Sequence, residues 1–293
     1  MRIAHSADEL RRQLKPLRSH QTIAFVPTMG CLHAGHMNLI EKAGELADIV
    51  VVSIYVNPLQ FGTGEDLDAY PRTFDVDAAL CAGAGVNFLF YPATLYPKSG
   101  PKITLKATRL SNCLCGASRP GHFDGVITVV NILFNIIQPD FAVFGEKDWQ
   151  QLTIIRRMVK DLQMPVEIIG SEIIREADGL AMSSRNRYLS NTDHSQALAL
   201  SQALTAMQQS ALAGETSVGV LKHIAQSIFD TASIQTEYLD VRSANSLKAR
   251  HILDKQPARA FVAARVGNAR LIDNMPLELN ISPEPATCTE DSQ

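Results

Sequence analysis

Short apolar runs rich in Val, Ile and Phe alternate with segments of helical period along the first half of the chain. Each run is apolar enough for a strand that is buried on both faces, and this alternation predicts a parallel sheet covered by helices. Segments 36–47 and 150–162 repeat their apolar residues at helical spacing and should pack on that sheet. We therefore predict an α/β fold, a Rossmann-like doubly wound sheet with strands at residues 22–26, 49–56, 86–91, 141–144 and 166–169.

The pattern changes after the fifth of these runs, where a Gly- and Ser-containing stretch at 178–186 precedes an Ala- and Gln-rich segment. Capping residues and β-propensity predict the elements of this second part, a helix at 191–214 and strands at 236–241 and 260–266. We place a domain boundary near Ile173, which predicts a Rossmann-like domain over 1–173 and a smaller α+β domain over 174–281. Residues 282–293 lack apolar side chains to bury and are predicted to be a disordered tail.

Charge and cysteine content limit the partners and the location of the protein. A net charge of −3 without a long basic run argues against nucleic-acid binding. No secretion signal is visible at the N-terminus, and no apolar stretch is long enough to cross about 30 Å of hydrocarbon. Five cysteines at irregular spacing argue against a disulfide framework. We therefore predict a cytoplasmic enzyme with neither a nucleic-acid nor a membrane partner.

The first candidate site is residues 27–36, which directly follow the first predicted strand and open the first helix. Ligands of open parallel sheets bind beyond the carboxyl ends of the strands, where a helix N-terminus offers free N–H groups to phosphate. Gly35 would let the backbone approach a nucleotide, and His33 and His36 could donate hydrogen bonds to phosphate oxygens. Metal binding by Cys31, His33 and His36 is an alternative, although no second cluster of ligands at zinc-like spacing follows.

Two further segments carry groups suited to phosphate. Residues 144–151 leave a predicted strand and enter a helix, so that Lys147 would bring a mobile positive charge and Asp148 could hold that charge or a ribose. Residues 182–186 place two hydroxyls and a guanidinium beside the domain boundary. In isolation, the charged residues of 144–151 are also typical of a solvated turn, and residues 182–186 alone are a weak signal.

Together the three segments resemble the nucleotidylyltransferase superfamily, and the chain is similar to one family within it, the pantothenate synthetases (pantoate–β-alanine ligases). The similarity covers most of residues 1–280, with its motifs in the family's order. These motifs are Thr28-Met29-Gly30, His33-Ala34-Gly35-His36, Asn57-Pro58-Leu59-Gln60-Phe61-Gly62, Tyr70-Pro71-Arg72, Arg119-Pro120-Gly121-His122-Phe123, Gly145-Glu146-Lys147-Asp148, Gln150-Gln151 and Asp178-Gly179-Leu180-Ala181-Met182-Ser183-Ser184-Arg185-Asn186.

This resemblance implies ATP-dependent condensation of (R)-pantoate with β-alanine to pantothenate, within pantothenate and coenzyme A biosynthesis. The reaction would pass through an enzyme-bound pantoyl adenylate and release AMP and pyrophosphate. ATP would be used with Mg²⁺, without an organic prosthetic group and without a metal site built by the protein. The resemblance further implies a homodimer.

The resemblance also assigns site residues. The catalytic group would be His33, His36, Lys147 and Arg185, with His36 the usual candidate proton donor. Gln60 and Gln151 would bind pantoate, and Gln60 would also lie near β-alanine. ATP would be surrounded by Met29, Gly30, Cys31, Leu32, His33, Ala34, Gly35, His36, Gly145, Glu146, Lys147, Asp148, Ile174, Met182, Ser183, Ser184 and Arg185. The chain departs from the family at Cys31, where alanine is usual, and at Ile132, where many members carry lysine.

Two other functions stay open, a nucleotidylyltransferase that passes the nucleotide to a phosphate and stops, and a nucleotide-sensing module without turnover. The amides at 57–62, Gln150 and Gln151 favour a hydroxy acid over a phosphorylated substrate, which would call for more Arg or Lys. Intact histidines and Lys147 argue against lost catalysis. Because residues 182–186 lie at the predicted boundary, we expect ATP to draw the second domain over the first as a lid.

Overall fold

The structure, a computed structural model, describes residues 1–280, so the tail predicted at 282–293 lies outside the described residues. The first part of the chain forms β1 (Arg2–Ala4), α1 (Ala7–Leu14), β2 (Ile23–Thr28), α2 (Ala34–Leu46), β3 (Ile49–Ile54), α3 (Phe74–Gly83), β4 (Phe88–Phe90), α4 (Leu114–Ser118), α5 (His122–Ile137), β5 (Phe141–Gly145), α6 (Trp149–Asp161) and β6 (Glu167–Ser171). Short 3₁₀ turns lie at Pro58–Gln60, Glu146–Asp148 and Ser184–Tyr188.

The six strands form one parallel sheet in the order β1-β4-β3-β2-β5-β6. From β2 the chain first builds outward through β3 and β4, then returns to add β5 and β6 on the other side. The strand order therefore reverses between β2 and β5, and ligands of doubly wound sheets bind beyond the carboxyl ends at such a point. The predicted Rossmann-like parallel sheet is confirmed, with β1 as an additional edge strand that the sequence pattern did not predict.

Two apolar cores cover the two faces of this sheet. Residues of β2 alternate between them, as the period of a strand requires. Phe25 packs in the core formed with α1, α5 and α6, whereas Ala24 and Val26 pack in the core formed with α2 and α3. Helices on both faces explain why the strands read as continuous apolar runs.

The second part of the chain forms α7 (Asn191–Leu212), α8 (Val218–Thr231), β7 (Thr236–Ser243), β8 (Ala258–Val266) and β9 (Ala269–Leu277). Its strands make an antiparallel sheet in the order β7-β8-β9, with a core of its own against α7 and α8. Ser190 and Asp193 form a capping box that starts α7 at the predicted position. The smaller α+β unit is confirmed, while the boundary near Ile173 stays a prediction.

Partly buried contacts join the two parts. The Trp149 indole donates to the Ala244 carbonyl at 2.8 Å, and the Arg259 guanidinium lies 3.6 Å above the centre of the Trp149 ring. Arg259 also donates to the Glu146 carboxylate at 3.3 Å. These contacts fix β8 against the carboxyl end of β5. Within residues 1–280, no helix combines the length and the hydropathy needed to cross a membrane.

Candidate active site

A cavity of about 280 Å³ lies beyond the carboxyl ends of β2 and β5, and the second domain forms part of its wall. It brings together all three segments singled out in the sequence. The predicted site residues that line it are Met29, His33, Gly35, His36, Gln60, Gly145, Lys147, Asp148, Gln151, Ile174, Met182, Ser183, Ser184 and Arg185. The predicted ATP-binding residues outside this lining are Gly30, Cys31, Leu32, Ala34 and Glu146. The ligand-binding roles of all these residues stay predictions.

The backbone amides of the turn between β2 and α2 are bound by side chains that do not belong to this turn. Gly30 and Cys31 both adopt left-handed backbone angles, with φ of 82° and 53°. The Gly30 amide donates to the Thr28 hydroxyl at 3.1 Å, and the Cys31 and Leu32 amides donate to the two oxygens of Asp77, each at 2.8 Å. The amides of Gly30, Cys31 and Leu32, which precede α2, are therefore engaged by the protein itself.

Backbone amides hold the rings of His33 and His36 in one tautomer. The Gly35 amide donates to Nδ1 of His33 at 3.1 Å, and the His33 amide donates to Nδ1 of His36 at 3.3 Å. Burial followed by the charge of Lys147 lowers the pKa of His33 to about 4, and burial followed by His33 and Lys147 lowers the pKa of His36 to about 3. At neutral pH each ring is therefore uncharged, and its single proton sits on Nε2.

Gly35 makes room for this pair of imidazoles. A Cβ at Gly35 would lie 2.9 Å from Cε1 of His33 and 3.0 Å from its Nδ1. The ring centroids of His33 and His36 are 4.1 Å apart, so neither ring can move aside without disturbing the other. The sequence suggested Gly35 for close approach of a nucleotide, whereas here the His33 ring occupies that side of the glycine.

The second domain holds the backbone that carries Lys147. Asn274, only 2% exposed, donates from its amide to the Glu146 carbonyl at 3.0 Å and to the Lys147 carbonyl at 2.8 Å. Arg259 in turn binds both the side-chain oxygen of Asn274 and the carboxylate of Glu146. Glu146 is thus ion-paired with Arg259 of β8. This pairing explains why Glu146 does not line the cavity beside Lys147.

Residues 182–186, the serine-arginine loop, contact two segments of the first domain. Arg185 binds Asp66 through Nε at 3.1 Å and Nη2 at 2.9 Å, and these bonds keep the pKa of Arg185 raised although burial alone would lower it. The Ser184 hydroxyl donates to the Cys31 carbonyl at 3.1 Å, and the Ser183 hydroxyl accepts from the Arg185 amide at 3.2 Å. The loop therefore lies against the turn between β2 and α2 and against the segment that carries Asp66.

Gln60 is held by a network that begins at a buried asparagine. Asn57, 1% exposed, donates to the side-chain oxygen of Gln60 at 3.0 Å and to the Gly125 carbonyl at 3.1 Å, and it accepts from the Tyr96 hydroxyl at 2.7 Å. The Gln60 amide nitrogen lies 3.1 Å from the sulfur of Met29. This network places the Gln60 side chain between the first candidate segment and α5.

The backbone carbonyl of Gln60 is bound by two side chains, His122 and Arg119. His122 donates from Nδ1 to the Gln60 carbonyl at 2.7 Å, and Arg119 reaches the same oxygen at 3.3 Å. Arg119 also binds both oxygens of Glu65, which lowers the pKa of Glu65 to about 2. Burial and the Arg119 charge lower the pKa of His122 to about 4, so this ring is neutral as well.

The two glutamines that open α6 have different surroundings. Gln150 is buried and donates to the carbonyls of Leu110 and Cys113, each at 2.8 Å, so its amide holds a loop. Gln151 is half-buried and its side chain lines the cavity. Ile132, at the position where lysine is common, packs against the apolar core.

The metal alternative receives no support from the geometry. Across residues 1–280, the side chains close enough together to hold an ion are Glu176, Asp178 and His194, and none of the three lines the cavity. His194 and Asp178 already form a hydrogen bond of 2.7 Å. Cys31, His33 and His36 do not form such a group within the described residues.

Known proteins are similar to this chain over nearly its whole length. The family model for pantoate-beta-alanine ligase matches residues 2–276. The chain is 51% identical over 272 residues to a pantothenate synthetase of Shewanella amazonensis, which covers 92% of this chain and 96% of the relative. A crystal structure of pantothenate synthetase from Thermus thermophilus superposes with a TM-score of 0.89 at 42% identity, covering 94% of this chain and 99% of the other. Pantoate-beta-alanine ligase from Francisella tularensis, solved with beta-gamma ATP and beta-alanine, gives 0.79 at 35% identity, covering 94% of this chain and 97% of that one.

Proposed function

The chain belongs to the pantoate–β-alanine ligase family, and we propose that it condenses (R)-pantoate with β-alanine, using ATP, through an enzyme-bound pantoyl adenylate. The observation that carries this proposal is one cavity lined by two neutral imidazoles, Lys147 and the two glutamines Gln60 and Gln151. A carboxylate is a poor acyl donor because its oxygen leaves badly. Transfer of AMP to that oxygen creates a good leaving group.

In the first half-reaction, a carboxylate oxygen of pantoate attacks the α-phosphorus of ATP while the bond to pyrophosphate breaks. Negative charge grows on the phosphate oxygens, and the Nε2–H groups of His33 and His36 together with Lys147 supply donors to it. The neutral rings act as hydrogen-bond donors. Mg²⁺ would enter with ATP, and the carboxylates of Asp148 and Glu172 in the cavity wall are of the oxygen type that it prefers.

In the second half-reaction, the unprotonated amine of β-alanine attacks the carbonyl carbon of the adenylate. The new C–N bond forms as the C–O bond to AMP breaks, AMP leaves with one oxygen that came from pantoate, and the nitrogen releases one proton to water. We assign the positioning of pantoate to Gln60 and Gln151, and assign β-alanine to the neighbourhood of Gln60. The Asn57 network holds the Gln60 amide in place without help from a substrate.

We also propose that the second domain acts as a lid. Arg185 is bound by Asp66, and the phosphates of ATP would compete for the same guanidinium. Exchange of partners would free the Asp66 segment and draw the loop onto the nucleotide, which excludes water from the adenylate. ATP should then compact the protein in small-angle scattering, and Arg185→Ala should weaken that compaction. Equal compaction in both proteins would refute the lid.

Assembly and location are proposed from the family, as a cytoplasmic homodimer. The described cysteines, Cys31, Cys81, Cys113 and Cys115, are free thiols, which suits a reducing compartment. Light scattering should give twice the 32.0 kDa mass of one chain. A mass of one chain at micromolar concentration would contradict the dimer.

Exchange of labelled pyrophosphate into ATP tests the proposed reaction. Exchange should require pantoate and Mg²⁺ but not β-alanine, because adenylation precedes the attack by the amine. Later addition of β-alanine should yield AMP and pantothenate in equal amounts. Exchange without pantoate would overturn the substrate assignment, and exchange without production of pantothenate would indicate a nucleotidylyltransferase that stops after the first step.

A further inference from the structure

We propose that Asp77 is a positioning residue of the adenylation site, which holds the turn between β2 and α2 in the shape that presents His33 and His36 to the nucleotide. This inference rests on the proposed function and adds a residue that lies outside every motif of the family resemblance. Asp77 sits on α3 and is 1% exposed. It does not line the cavity that contains His33 and His36, so it would act through the turn.

Both oxygens of Asp77 are used by the turn. Oδ2 accepts from the Cys31 amide and Oδ1 from the Leu32 amide, each at 2.8 Å, and Oδ2 also accepts from the Thr73 hydroxyl at 3.1 Å. Two consecutive amides need two acceptors side by side, and a carboxylate provides them with charge assistance. The next amide along the chain, of His33, already binds His36.

The turn depends on this anchor because there is open space on both of its sides. A second cavity, of about 380 Å³, lies behind it and is lined by Gly30 and Asp77, while Met29 lines both cavities. The turn is therefore a thin wall between two cavities. Without its anchor to α3, the backbone could relax into the space behind, and the imidazoles would move with it.

The surroundings of Gly30 show how closely Asp77 approaches the turn. A Cβ there would lie 3.0 Å from Oδ2 of Asp77, and the residue has a φ of 82° that side chains rarely adopt. Cys31 takes a left-handed angle as well, although it is not glycine. Such angles persist where surrounding contacts over-determine them, and here the Asp77 hydrogen bonds act together with those of Thr28 and Ser184.

The test replaces Asp77 by Asn, which keeps the shape but leaves one acceptor and turns an NH₂ group toward an amide donor. Asp75→Asn is the matched control, because Asp75 is exposed on the same helix and loses the same charge. Two readouts are followed on the full chain, corrected for the folded fraction by circular dichroism. One is the pyrophosphate exchange rate, and the other is alkylation of Cys31 by iodoacetamide, quantified by mass spectrometry of its peptide.

Cys31 is 1% exposed, so its thiol reports release of the turn without reference to catalysis. We expect Asp77→Asn to raise its alkylation rate at least about tenfold and to lower the kcat of exchange by about 10–100-fold, the scale of a small misplacement of catalytic groups. The KM for pantoate should change little. Asp75→Asn should resemble the parent in the alkylation rate of Cys31 and in both kcat and KM of exchange.

Thr73→Val removes only one of the three hydrogen bonds to Asp77 and gives a milder variant if Asp77→Asn does not fold. It should shift both readouts in the same direction by a smaller factor.

Parent-like exchange in the folded Asp77 variant, or parent-like alkylation, would overturn the positioning role. Failure of the proposed function has a different signature, in which the parent itself shows no exchange with pantoate while Cys31 is still exposed by the substitution.

Discussion

Replacing Asn274 by Ala should separate Lys147 from the second domain. The side chain of Asn274 donates to the carbonyls of Glu146 and Lys147 and accepts from Arg259. Two ordinary hydrogen bonds at about 1 kcal/mol each and one to a charged group at about 2 kcal/mol give an upper value near 4 kcal/mol for the lost stability. With partial relaxation we expect about 2–4 kcal/mol, or roughly 4–16 °C in Tm at about 2–4 °C per kcal/mol.

The kinetic consequence distinguishes positioning from plain stability. Below the unfolding transition, we expect Asn274→Ala to lower the kcat of pyrophosphate exchange by about 10–100-fold, because Lys147 loses the contacts that fix its backbone. Asn268→Ala, at an exposed position between β8 and β9, is the control and should leave both Tm and kcat unchanged. A lower Tm with parent-like kcat would show that Lys147 does not depend on the second domain, and an unchanged Tm would refute the hydrogen-bond reasoning itself.

Three further predictions concern the cavity residues. His36→Ala and Lys147→Ala should each lower kcat by about 10²–10³-fold without loss of folding, since each removes a donor to developing charge; near-normal turnover in steady-state assays would refute these roles. Gln60→Leu and Gln151→Leu should raise the KM for pantoate by roughly 10–100-fold, the worth of one or two lost hydrogen bonds, with ATP affinity by calorimetry nearly unchanged; an equal loss of ATP affinity would place the pantoate pocket elsewhere. Because the pKa values of His33 and His36, about 4 and about 3, lie below the 6.5 of a free imidazole, the unfolded chain binds more protons between about pH 4 and 6.5. The free energy of unfolding by urea should therefore fall as the pH drops through that window, and His36→Asn should make the fall shallower; an equal slope in both proteins would contradict the buried neutral ring.

The parts of the fold that the sequence predicted are those with an unambiguous pattern of apolar residues. Strands buried on both faces read as apolar runs, so β2, β3 and β5 were predicted to within about two residues. β9 was not predicted, because Asp273, Asn274 and Pro276 interrupt its apolar pattern. Helix α5 was also not predicted, since it is apolar on almost every side and hides the helical period. In β9, Asn274 contacts the first domain through Glu146 and Lys147, and Asp273 forms an ion pair with Arg175.

The candidate site was predictable to the extent that it follows strand ends. Motifs after β2 and β5 had to meet at one edge of a parallel sheet, and the cavity contains His36 and Lys147 as expected. Asp77, Asn274 and Asp66 were not found from the sequence. Their partners lie far away in the chain, 46 residues for Asp77 and Cys31, and two of the three bind backbone groups that every sequence possesses. No spacing of side chains encodes such contacts.

The adenylate itself is tested most directly by an isotope. Pantoate labelled with ¹⁸O in both carboxylate oxygens is converted with ATP and β-alanine, and the AMP is analysed by mass spectrometry. If the carboxylate attacks the α-phosphorus, each AMP carries one ¹⁸O and each pantothenate keeps the other in its new amide carbonyl. Unlabelled AMP, or label recovered in inorganic phosphate alongside ADP, would mean that pantoate is not activated as an acyl adenylate.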